Sequence, residues 1–266
     1  MSILRLEHVT RRFDGLVATD DVSLDIPGKG ISAIIGPNGA GKTTLFNVIS
    51  GFLAPSAGRV TFDGTDITGL PPEAIAKLGL VRTFQLVQLF DELTVLENVK
   101  VGFHLHTRGG LLTALAPGGR ARREEREVDA QARALLRKTG LIEQAETSAA
   151  VLPYGQKRLL EITRALAAKP KLLLLDEPAA GLNRQETQTL AALLRDIAAS
   201  GTAILLIEHD MSLVMSVTDH IAVLDFGRLI ARGTPEEVKR NPDVIAAYLG
   251  TQAEAAAQAT GEAAHD

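Results

Sequence analysis

The chain has 266 residues, enough for one large domain or two small ones, and 45% of them are hydrophobic, which supports a sizeable core. Its formal net charge of −4 gives no sign of a general nucleic-acid-binding surface. The absence of cysteine excludes disulfides and thiolate metal sites and fits a reducing compartment.

No stretch of the sequence predicts a secretory signal or a membrane span. The N-terminus, Met1–Glu7, is charged and lacks a long apolar segment. The longest run without Asp, Glu, Lys, Arg or His is Thr43–Gly58, whose 16 residues include Asn, Ser, Pro and Gly. Such a run is too short and too polar to cross a bilayer. Any role at a membrane therefore requires a partner.

Hydrophobic periodicity predicts a strand-rich first third and a helical, charged middle. The predicted elements of the first third are strands at Ile3–Val9, Val22–Ile26 and Ile31–Ile35, a helix at Thr44–Ile49, a strand at Arg59–Phe62 and a short helix at Pro71–Leu78. Residues 94–165 are mostly helical in pattern, and glycine pairs at 109–110 and 118–119 bracket a loop within them. The charged run Arg120–Lys138 is typical of a solvated helix with i,i+4 ion pairs; a binding surface is the less favoured interpretation.

Apolar runs return in the last third and predict parallel strands that are buried on both faces. The predicted elements are strands at Leu172–Leu175 and Thr202–Ile207, a helix at Gln185–Ser200 between them, a hairpin of Ile221–Leu224 and Arg228–Ala231, and short helices at Pro235–Arg240 and Val244–Leu249. Residues 251–266 lack a usable apolar face and are expected to form a disordered tail. The pattern therefore predicts an α/β core that is interrupted by a mostly helical insertion.

The most informative motif, residues 36–43, follows the strand Ile31–Ile35 and has the form G-x-x-x-x-G-K-T of the nucleotide-binding P-loop. Its glycines let the backbone turn tightly and approach a ligand, and the N–H groups at the start of the next helix cradle phosphates. Lys42 adds positive charge near the β- and γ-phosphates, and the Thr43 hydroxyl suits Mg²⁺. The strand–loop–helix context predicts a nucleotide site formed by Gly36, Pro37, Asn38, Gly39, Ala40, Gly41, Lys42, Thr43 and Thr44.

The apolar run Leu172–Leu175 ends in two carboxylates, Asp176 and Glu177. A strand that ends in this way fits the Mg-nucleotide site that a P-loop requires. Asp176 would hold Mg²⁺, directly or through water, and Glu177 would polarise the attacking water. The alternative is a strand that happens to end in surface acids.

Gln85 and His209 follow two further strand-like runs. The Gln85 amide oxygen could ligate Mg²⁺ or water, and His209 could contact a γ-phosphate or the attacking water. Each is a weak signal alone, because a lone histidine after a strand is usually structural or solvated. The structural or solvated interpretation is kept for His8, His104, His106, His220 and His265.

The order of these motifs resembles that of the ATP-binding cassette (ABC) ATPases over residues 3–249. The family's Q-loop falls on Gln85, its signature on Leu152–Gln156, its Walker B pair on Asp176 and Glu177, its D-loop on Ala180–Asn183 and its switch histidine on His209. The resemblance implies an α/β fold, the P-loop NTPase type of ABC nucleotide-binding domain. Its RecA-like core would span residues 1–85 and 166–250, with an N-terminal antiparallel β-subdomain and a helical subdomain inserted at 86–165.

The resemblance also implies a role for each site residue. Glu177, His209 and Gln85 would be catalytic, and Thr43, Gln85 and Asp176 would hold Mg²⁺. Phe13 stands where the family places an aromatic residue that stacks on adenine. The signature would bind the ATP of a second cassette in trans through Pro153, Tyr154, Gly155 and Gln156.

A closer resemblance is to the ATPase subunits of branched-chain (hydrophobic) amino acid importers. It is carried by Arg82–Gln85, Leu89-Phe90, Leu93–Asn98, Glu208–Met211, Gly233–Val238, Asn241–Val244 and the ending Tyr248–Gly250. It implies a second, different ATPase subunit, two membrane permeases and a periplasmic or extracellular binding protein, with this chain at the cytoplasmic face of the plasma membrane. The cargo is less specific, since related systems take urea, amides or aromatic acids.

Other classes of P-loop protein fit less well. ABC repair machines insert very long coiled coils, whereas this insertion of roughly 70 residues has no sustained heptads. ABC translation factors carry two cassettes in one chain, and this chain has one. A soluble assembly ATPase without membrane partners stays open, and co-purification with polytopic membrane proteins would exclude it. GTPases and kinases lack the signature and the order of Gln85 and His209.

The signature departs from the family's L-S-G-G-Q, because Pro153 and Tyr154 replace Ser and Gly. In the family, the serine hydroxyl contacts the γ-phosphate bound to the opposite subunit, and Pro153 has neither a hydroxyl nor an N–H. Proline can begin a helix without cost, and the Gly155 N–H and the helix dipole remain as anion donors. A lost charge-assisted hydrogen bond costs roughly 1.5–3 kcal/mol, so the composite site that uses this signature is expected to be the weaker of two.

The substitution Pro153→Ser should therefore raise the ATPase activity of the assembled complex, because it restores the missing hydroxyl. Steady-state phosphate release by the complex measures the effect. Unchanged or lower activity would contradict the hypothesis.

Overall fold

The computed structural model describes residues 1–83, 87–103 and 119–248. In chain order its elements are β1 (Ser2–Phe13), β2 (Leu16–Pro27), β3 (Ile31–Ile35), α1 (Lys42–Ile49), β4 (Ala57–Phe62), β5 (Thr65–Asp66), α2 (Pro72–Leu78), β6 (Leu80–Arg82), α3 (Val95–Gly102), α4 (Gly119–Lys138), α5 (Tyr154–Ala167), β7 (Leu172–Asp176), α6 (Arg184–Ala199), β8 (Ala203–Ile207), α7 (Met211–Val217), β9 (His220–Asp225), β10 (Arg228–Gly233) and α8 (Pro235–Lys239). Residues 242–248 form a further helix. No helix in these three stretches combines the length and the apolar character that a bilayer span requires.

A six-stranded sheet forms the centre of the molecule, in the order β10-β9-β3-β8-β7-β6. All its neighbouring strands are parallel except β9 and β10, which form the predicted antiparallel hairpin. Every residue of β3, β7 and β8 is buried, as their continuous apolar runs predicted. The carboxyl ends of these three strands lie at one edge of the sheet, where the sequence places the P-loop, the paired carboxylates and His209.

The second sheet is antiparallel and has the order β2-β1-β4-β5. Helix α1 packs between it and one face of the central sheet, and Leu45, Phe46 and Ile49 of this helix are completely buried there. Helices α5, α6 and α7 cover the opposite face of the central sheet. The helix that follows the P-loop is therefore fixed by hydrophobic burial on both sides.

The strands β1 and β2 are longer than predicted, with 12 residues each against the expected Ile3–Val9 and Val22–Ile26. The register of the pair shifts between Leu6 and Val9, where His8 has a φ of +52°. A β-bulge of this kind breaks the period of two on which the prediction depended.

Helices α3, α4 and α5 pack around a third hydrophobic cluster that includes Val95, Val99, Leu136 and Leu160. On α4 the predicted i,i+4 ion pairs are present, one of them between Arg123 and Glu127 at 3.0 Å. Helix α5 also contributes to the cluster beneath the central sheet, so it joins the insertion to the core. It extends to Ala167, beyond the expected boundary after residue 165. The expected tail at 251–266 and most of the expected loop near 109–118 lie outside the described residues.

Asn98 fixes the segment that leads into α3. Its side chain is fully buried, accepts a hydrogen bond from the Phe90 N–H at 3.0 Å and donates to the carbonyls of Phe90 and Thr94, both at 3.0 Å. A buried amide in this position satisfies backbone groups that an apolar residue would leave without partners.

Replacement of Asn98 by leucine should lower the free energy of unfolding by roughly 2–4 kcal/mol, since buried polar groups would lose their hydrogen bonds. Urea denaturation measures the change. The matched control is Gln131→Leu on the exposed face of α4, which should stay within about 0.5 kcal/mol of the parent. Equal stability of the two variants would contradict the prediction.

Candidate functional site

The predicted P-loop lies in a cleft at the carboxyl edge of the central sheet. Residues 38–44 line the cleft together with Glu177 from the end of β7. Leu16, Val17 and Phe226 form its apolar wall. Ligands of open α/β sheets bind at this edge, so the structure brings the P-loop and a predicted catalytic carboxylate into one cleft.

The glycines at positions 36 and 41 are required by close packing of the loop. A Cβ on Gly36 would overlap the Leu224 carbonyl oxygen, and one on Gly41, whose φ is +92°, would overlap the Ala18 carbonyl oxygen. Helix α1 begins at Lys42, and no described side chain caps its first turn. The N–H groups of this turn are thus in the arrangement that binds anions.

Lys42 is nearly buried and turns back onto its own loop. Its Nζ donates to the carbonyls of Gly36 at 2.7 Å and Pro37 at 2.8 Å. Burial lowers the pKa of the Lys42 ammonium, and the carboxylates of Glu177 and Asp176 oppose that shift. The charge that the sequence assigns to phosphate binding therefore lies at the cleft and is held by carbonyl groups.

Asp176 is held by a residue that the sequence analysis did not place in the site. The Arg82 guanidinium, at the end of β6, donates to Asp176 Oδ2 at 2.8 Å, and both side chains are almost fully buried. Arg82 also donates to Asn47 at 2.7 Å and Ser50 at 2.8 Å, on and just after α1. In the sequence it is a charged residue within a strand-like run and one of the residues that carry the closer resemblance, and neither signal assigned it a contact. Arg82 joins the predicted Mg²⁺ ligand to the helix that follows the P-loop.

Glu177 has a strained backbone, with a φ of +45°. Its N–H donates to the Ile207 carbonyl at 3.0 Å, and its Oε2 lies 3.8 Å from His209 Nδ1. Strain of this kind persists only where the surroundings enforce it, and it is concentrated at functional sites. The structure thus brings the predicted base and the predicted switch histidine close together.

Arg158 is a second residue that sequence reasoning missed. It is completely buried and donates to the backbone carbonyls of Asp176 at 3.1 Å, Glu177 at 2.7 Å and Pro178 at 3.2 Å. Glu161 balances its charge at 2.6 Å. Through Arg158, helix α5 holds the backbone of the turn at 176–178, which includes the predicted catalytic carboxylate.

The predicted signature residues lie at the start of α5 and do not line the cleft. Pro153 is the residue before the first helical turn, with φ −55° and ψ 151°, which agrees with the expectation that it begins a helix. A Cβ on Gly155 would overlap Glu186, and the ring of Tyr154 lies beside Gly181. The signature therefore lies next to the predicted D-loop and apart from its own P-loop.

Two predicted residues stay without a structural test of their role in the site. Phe13 lies at the end of β1 beneath the Arg11 guanidinium, 4.6 Å from the ring centroid, and is not among the residues that line the cleft. Leu16 and Phe226 hold the apolar positions there. Gln85 lies outside the described residues. The adenine contact of Phe13 and the metal contact of Gln85 stay predictions.

The residues present fit Mg²⁺ only together with a nucleotide. The described part of the chain contains no group of three or more His, Cys, Asp or Glu side chains that could hold a metal. Thr43 is exposed at the loop and Asp176 follows on β7, and hydroxyl and carboxylate oxygens are ligands that this hard cation takes. Mg²⁺ typically completes its shell with water and substrate phosphates.

Two family models match the sequence. The model described as "ABC transporter" matches residues 19–180, and that described as "Branched-chain amino acid ATP-binding cassette transporter" matches residues 228–254.

The second match includes Tyr248. Burial raises the pKa of this tyrosine, and a hydrogen bond with the backbone of Gly36 opposes the shift, so the C-terminal segment reaches the P-loop.

Curated relatives match nearly the whole chain. The high-affinity branched-chain amino acid transport ATP-binding protein BraF of Pseudomonas aeruginosa is 48% identical over 93% of this chain and 98% of its own length. The corresponding LivG protein of Escherichia coli K12 is 45% identical over the same shares.

Solved structures agree with the architecture. A nucleotide-free ATP-binding cassette of an ABC transporter is 37% identical, with a TM-score of 0.80 over 93% of this chain and 99% of that one. A cassette in its ADP conformation gives a TM-score of 0.81 at 37% identity, over 94% and 99% of the two chains. With the P-loop, the paired carboxylates and His209 at one edge of the sheet, the chain belongs to the ABC transporter family and is an ATP-binding cassette of that family.

Proposed function

We propose that this ATPase powers a membrane importer for branched-chain or other hydrophobic amino acids. The observation that carries the proposal is the strained Glu177 in the same cleft as Lys42, with His209 at 3.8 Å from its carboxylate. That arrangement supplies a phosphate-binding cation and a base for water, which together support ATP hydrolysis.

Each predicted site residue has a distinct part in the proposed reaction. Lys42 would exchange the carbonyls of its own loop for phosphate oxygens of ATP. Glu177 would accept a hydrogen bond from the attacking water and take its proton, while His209 would contact the γ-phosphate or that water. Thr43 and Asp176, with Gln85, would hold Mg²⁺, which neutralises charge on the phosphates when it is bound.

The placement of the signature supports a paired site. Pro153–Gln156 lie outside the cleft of their own chain, and Pro153 and Tyr154 are exposed, so this end of the helix can face a nucleotide on a second cassette. Tyr154 is exposed at this surface, and Gly181 of the D-loop is next to it. Two cassettes would then enclose two nucleotides. The second cassette is proposed to be a different chain, on the basis of the family resemblance.

A groove between the core and the helical subdomain is the proposed docking surface for the permeases. Val81, Leu89 and Phe90 make it apolar, and Arg164 adds a positive charge. Burial lowers the pKa of Arg164, and Glu161 opposes the shift. Within the described ranges Arg164 forms no ion pair; it contacts the Phe90 ring and the Gln88 carbonyl. A permease segment with an acidic side chain would complement it.

The cargo is inferred from relatives. BraF and LivG are named as branched-chain amino acid transport proteins, and the C-terminal segment matches a model of that description. A substrate-binding protein and a place on the cytoplasmic face of the membrane belong to the same proposal. Import of urea, amides or aromatic acids is the alternative, since selection lies with other subunits.

Replacement of Glu177 by glutamine should leave ATP binding intact and lower turnover by at least about 10²-fold, since it removes the general base. Phosphate release by the assembled complex and leucine uptake by cells that depend on it should fall together.

The matched control is Glu124→Gln on the exposed face of α4, which should keep both activities. Full turnover with Glu177→Gln would remove this residue from the base role. Lost ATPase with unchanged leucine uptake would contradict the transport proposal.

A charge reversal at Arg164 should detach the chain from its membrane subunits. Arg164→Glu would place a negative charge in the groove, and a like-charge contact at an interface costs several kcal/mol. Co-purification of the permeases from detergent extracts measures the loss, with nucleotide binding as the check on folding. Arg126→Glu on α4, which is exposed, should still co-purify. Undiminished co-purification with Arg164→Glu would exclude this groove.

A further inference from the structure

A buried carboxylate lies directly before the switch histidine. Glu208 follows β8, and only 1% of its surface is exposed. Burial raises the pKa of its carboxyl, and hydrogen bonds from the backbone of Ala179, Asp210 and His209 oppose that shift. Within the described ranges Glu208 forms no ion pair with lysine or arginine. A buried charge without a paired cation is expensive, so its hydrogen bonds must account for its presence.

The two oxygens of Glu208 contact two different segments. Oε1 accepts the Ala179 N–H at 2.7 Å. Oε2 accepts the N–H groups of His209 at 3.1 Å and Asp210 at 3.3 Å. Because an ionised carboxylate is an acceptor only, both oxygens can serve N–H donors at once. The side chain therefore forms a bridge between residue 179 and the backbone that carries the switch histidine.

The segment beyond Ala179 leads from the buried turn to the surface. Hydrogen bonds from Ala180 N–H to the Glu177 carbonyl at 3.1 Å and from Leu182 N–H to the Ala179 carbonyl at 3.1 Å make it compact. Gly181 and Asn183 are exposed, and Asn183 caps α6. A displacement of residues 180–183 would thus be transmitted to Ala179 and, through the bridge, to His209.

We propose that Glu208 is a positioning residue that couples the segment Ala179–Asn183 to His209. Contact of this segment with a second cassette then determines the position of the His209 imidazole beside Glu177. The inference rests on the proposed pairing of two cassettes and adds a means by which pairing regulates hydrolysis.

Glu208→Gln tests the bridge with almost no change in side-chain volume. The amide offers one acceptor oxygen, and its NH₂ group would face an N–H, so one side of the bridge is lost. In the assembled complex kcat should fall about 10- to 100-fold, the range for loss of a hydrogen bond to a charged group. KM for ATP should change little, since Glu208 does not line the cleft.

A double-mutant cycle separates positioning from general weakening. If Glu208 acts through His209, His209→Ala should cost much less in the Glu208→Gln background than in the parent. Additive losses would overturn the proposal. So would an unchanged kcat, or a loss of kcat that is matched by the control Asp219→Asn, a carboxylate that accepts the Ile31 N–H at 2.8 Å away from the cleft.

Amide hydrogen exchange in the isolated chain gives a readout that does not need the complex. Glu208→Gln should speed exchange at Ala179 or at His209 and Asp210 without a matching change in the central strands. Uniformly faster exchange would overturn the proposal. If the wild-type complex does not hydrolyse ATP, the proposed function is wrong. The hydrogen-exchange result still tests whether Glu208 connects Ala179 to the backbone of His209. If Glu208→Gln does not fold, Glu208→Asp, which keeps the charge but is shorter, replaces it in both measurements.

Discussion

The site depends on the register of three strands that are buried on both faces. Ile207 of β8 pairs with Ile34 of β3 on one side and with Asp176 of β7 on the other. Because the strands are parallel, the turns that follow them start at one level of the sheet. The P-loop, the paired carboxylates and His209 are therefore neighbours, although they are far apart in sequence. A slip of one residue would move every side chain to the opposite face.

Buried charges keep these turns in place. Arg82 holds the Asp176 side chain, Arg158 holds the backbone behind it, and Glu208 holds the turn that follows. Each charge would be costly alone and is stabilised by hydrogen bonds or an opposite charge. Removal of one partner leaves the other uncompensated, so these groups fix geometry more than they add stability. The turn at 176–179 is held at several points for this reason, even though Glu177 adopts a strained backbone.

The sequence predicted the elements of the fold well and the supporting contacts poorly. Apolar runs located β3, β7 and β8, because a parallel strand buried on both faces is continuously apolar and runs of this length are too short for a helix. Motif spacing predicted the site at Lys42 and Asp176, because phosphate and metal chemistry restrict residue types, and His209 was added through the family's order of motifs. Arg82 and Arg158 were missed, since their partners are 94 and about 20 positions away and periodicity carries no information about such contacts. Phe13 was assigned by resemblance alone; Leu16 and Phe226 line the cleft, and the adenine contact of Phe13 stays a prediction.

Helix α5 carries the signature at one end and, only five residues after Pro153, the arginine that holds the carbonyls of the turn at 176–178. This part of the helix is a single stiff body of about one and a half turns. In the proposed pair, it would touch the nucleotide of one cassette and the catalytic backbone of the other. Release of phosphate from one site would therefore change the force that this helix exerts on the backbone of the predicted base, Glu177, in the second site. The two hydrolysis sites would be linked by a rigid helix, with no need for a flexible connecting segment.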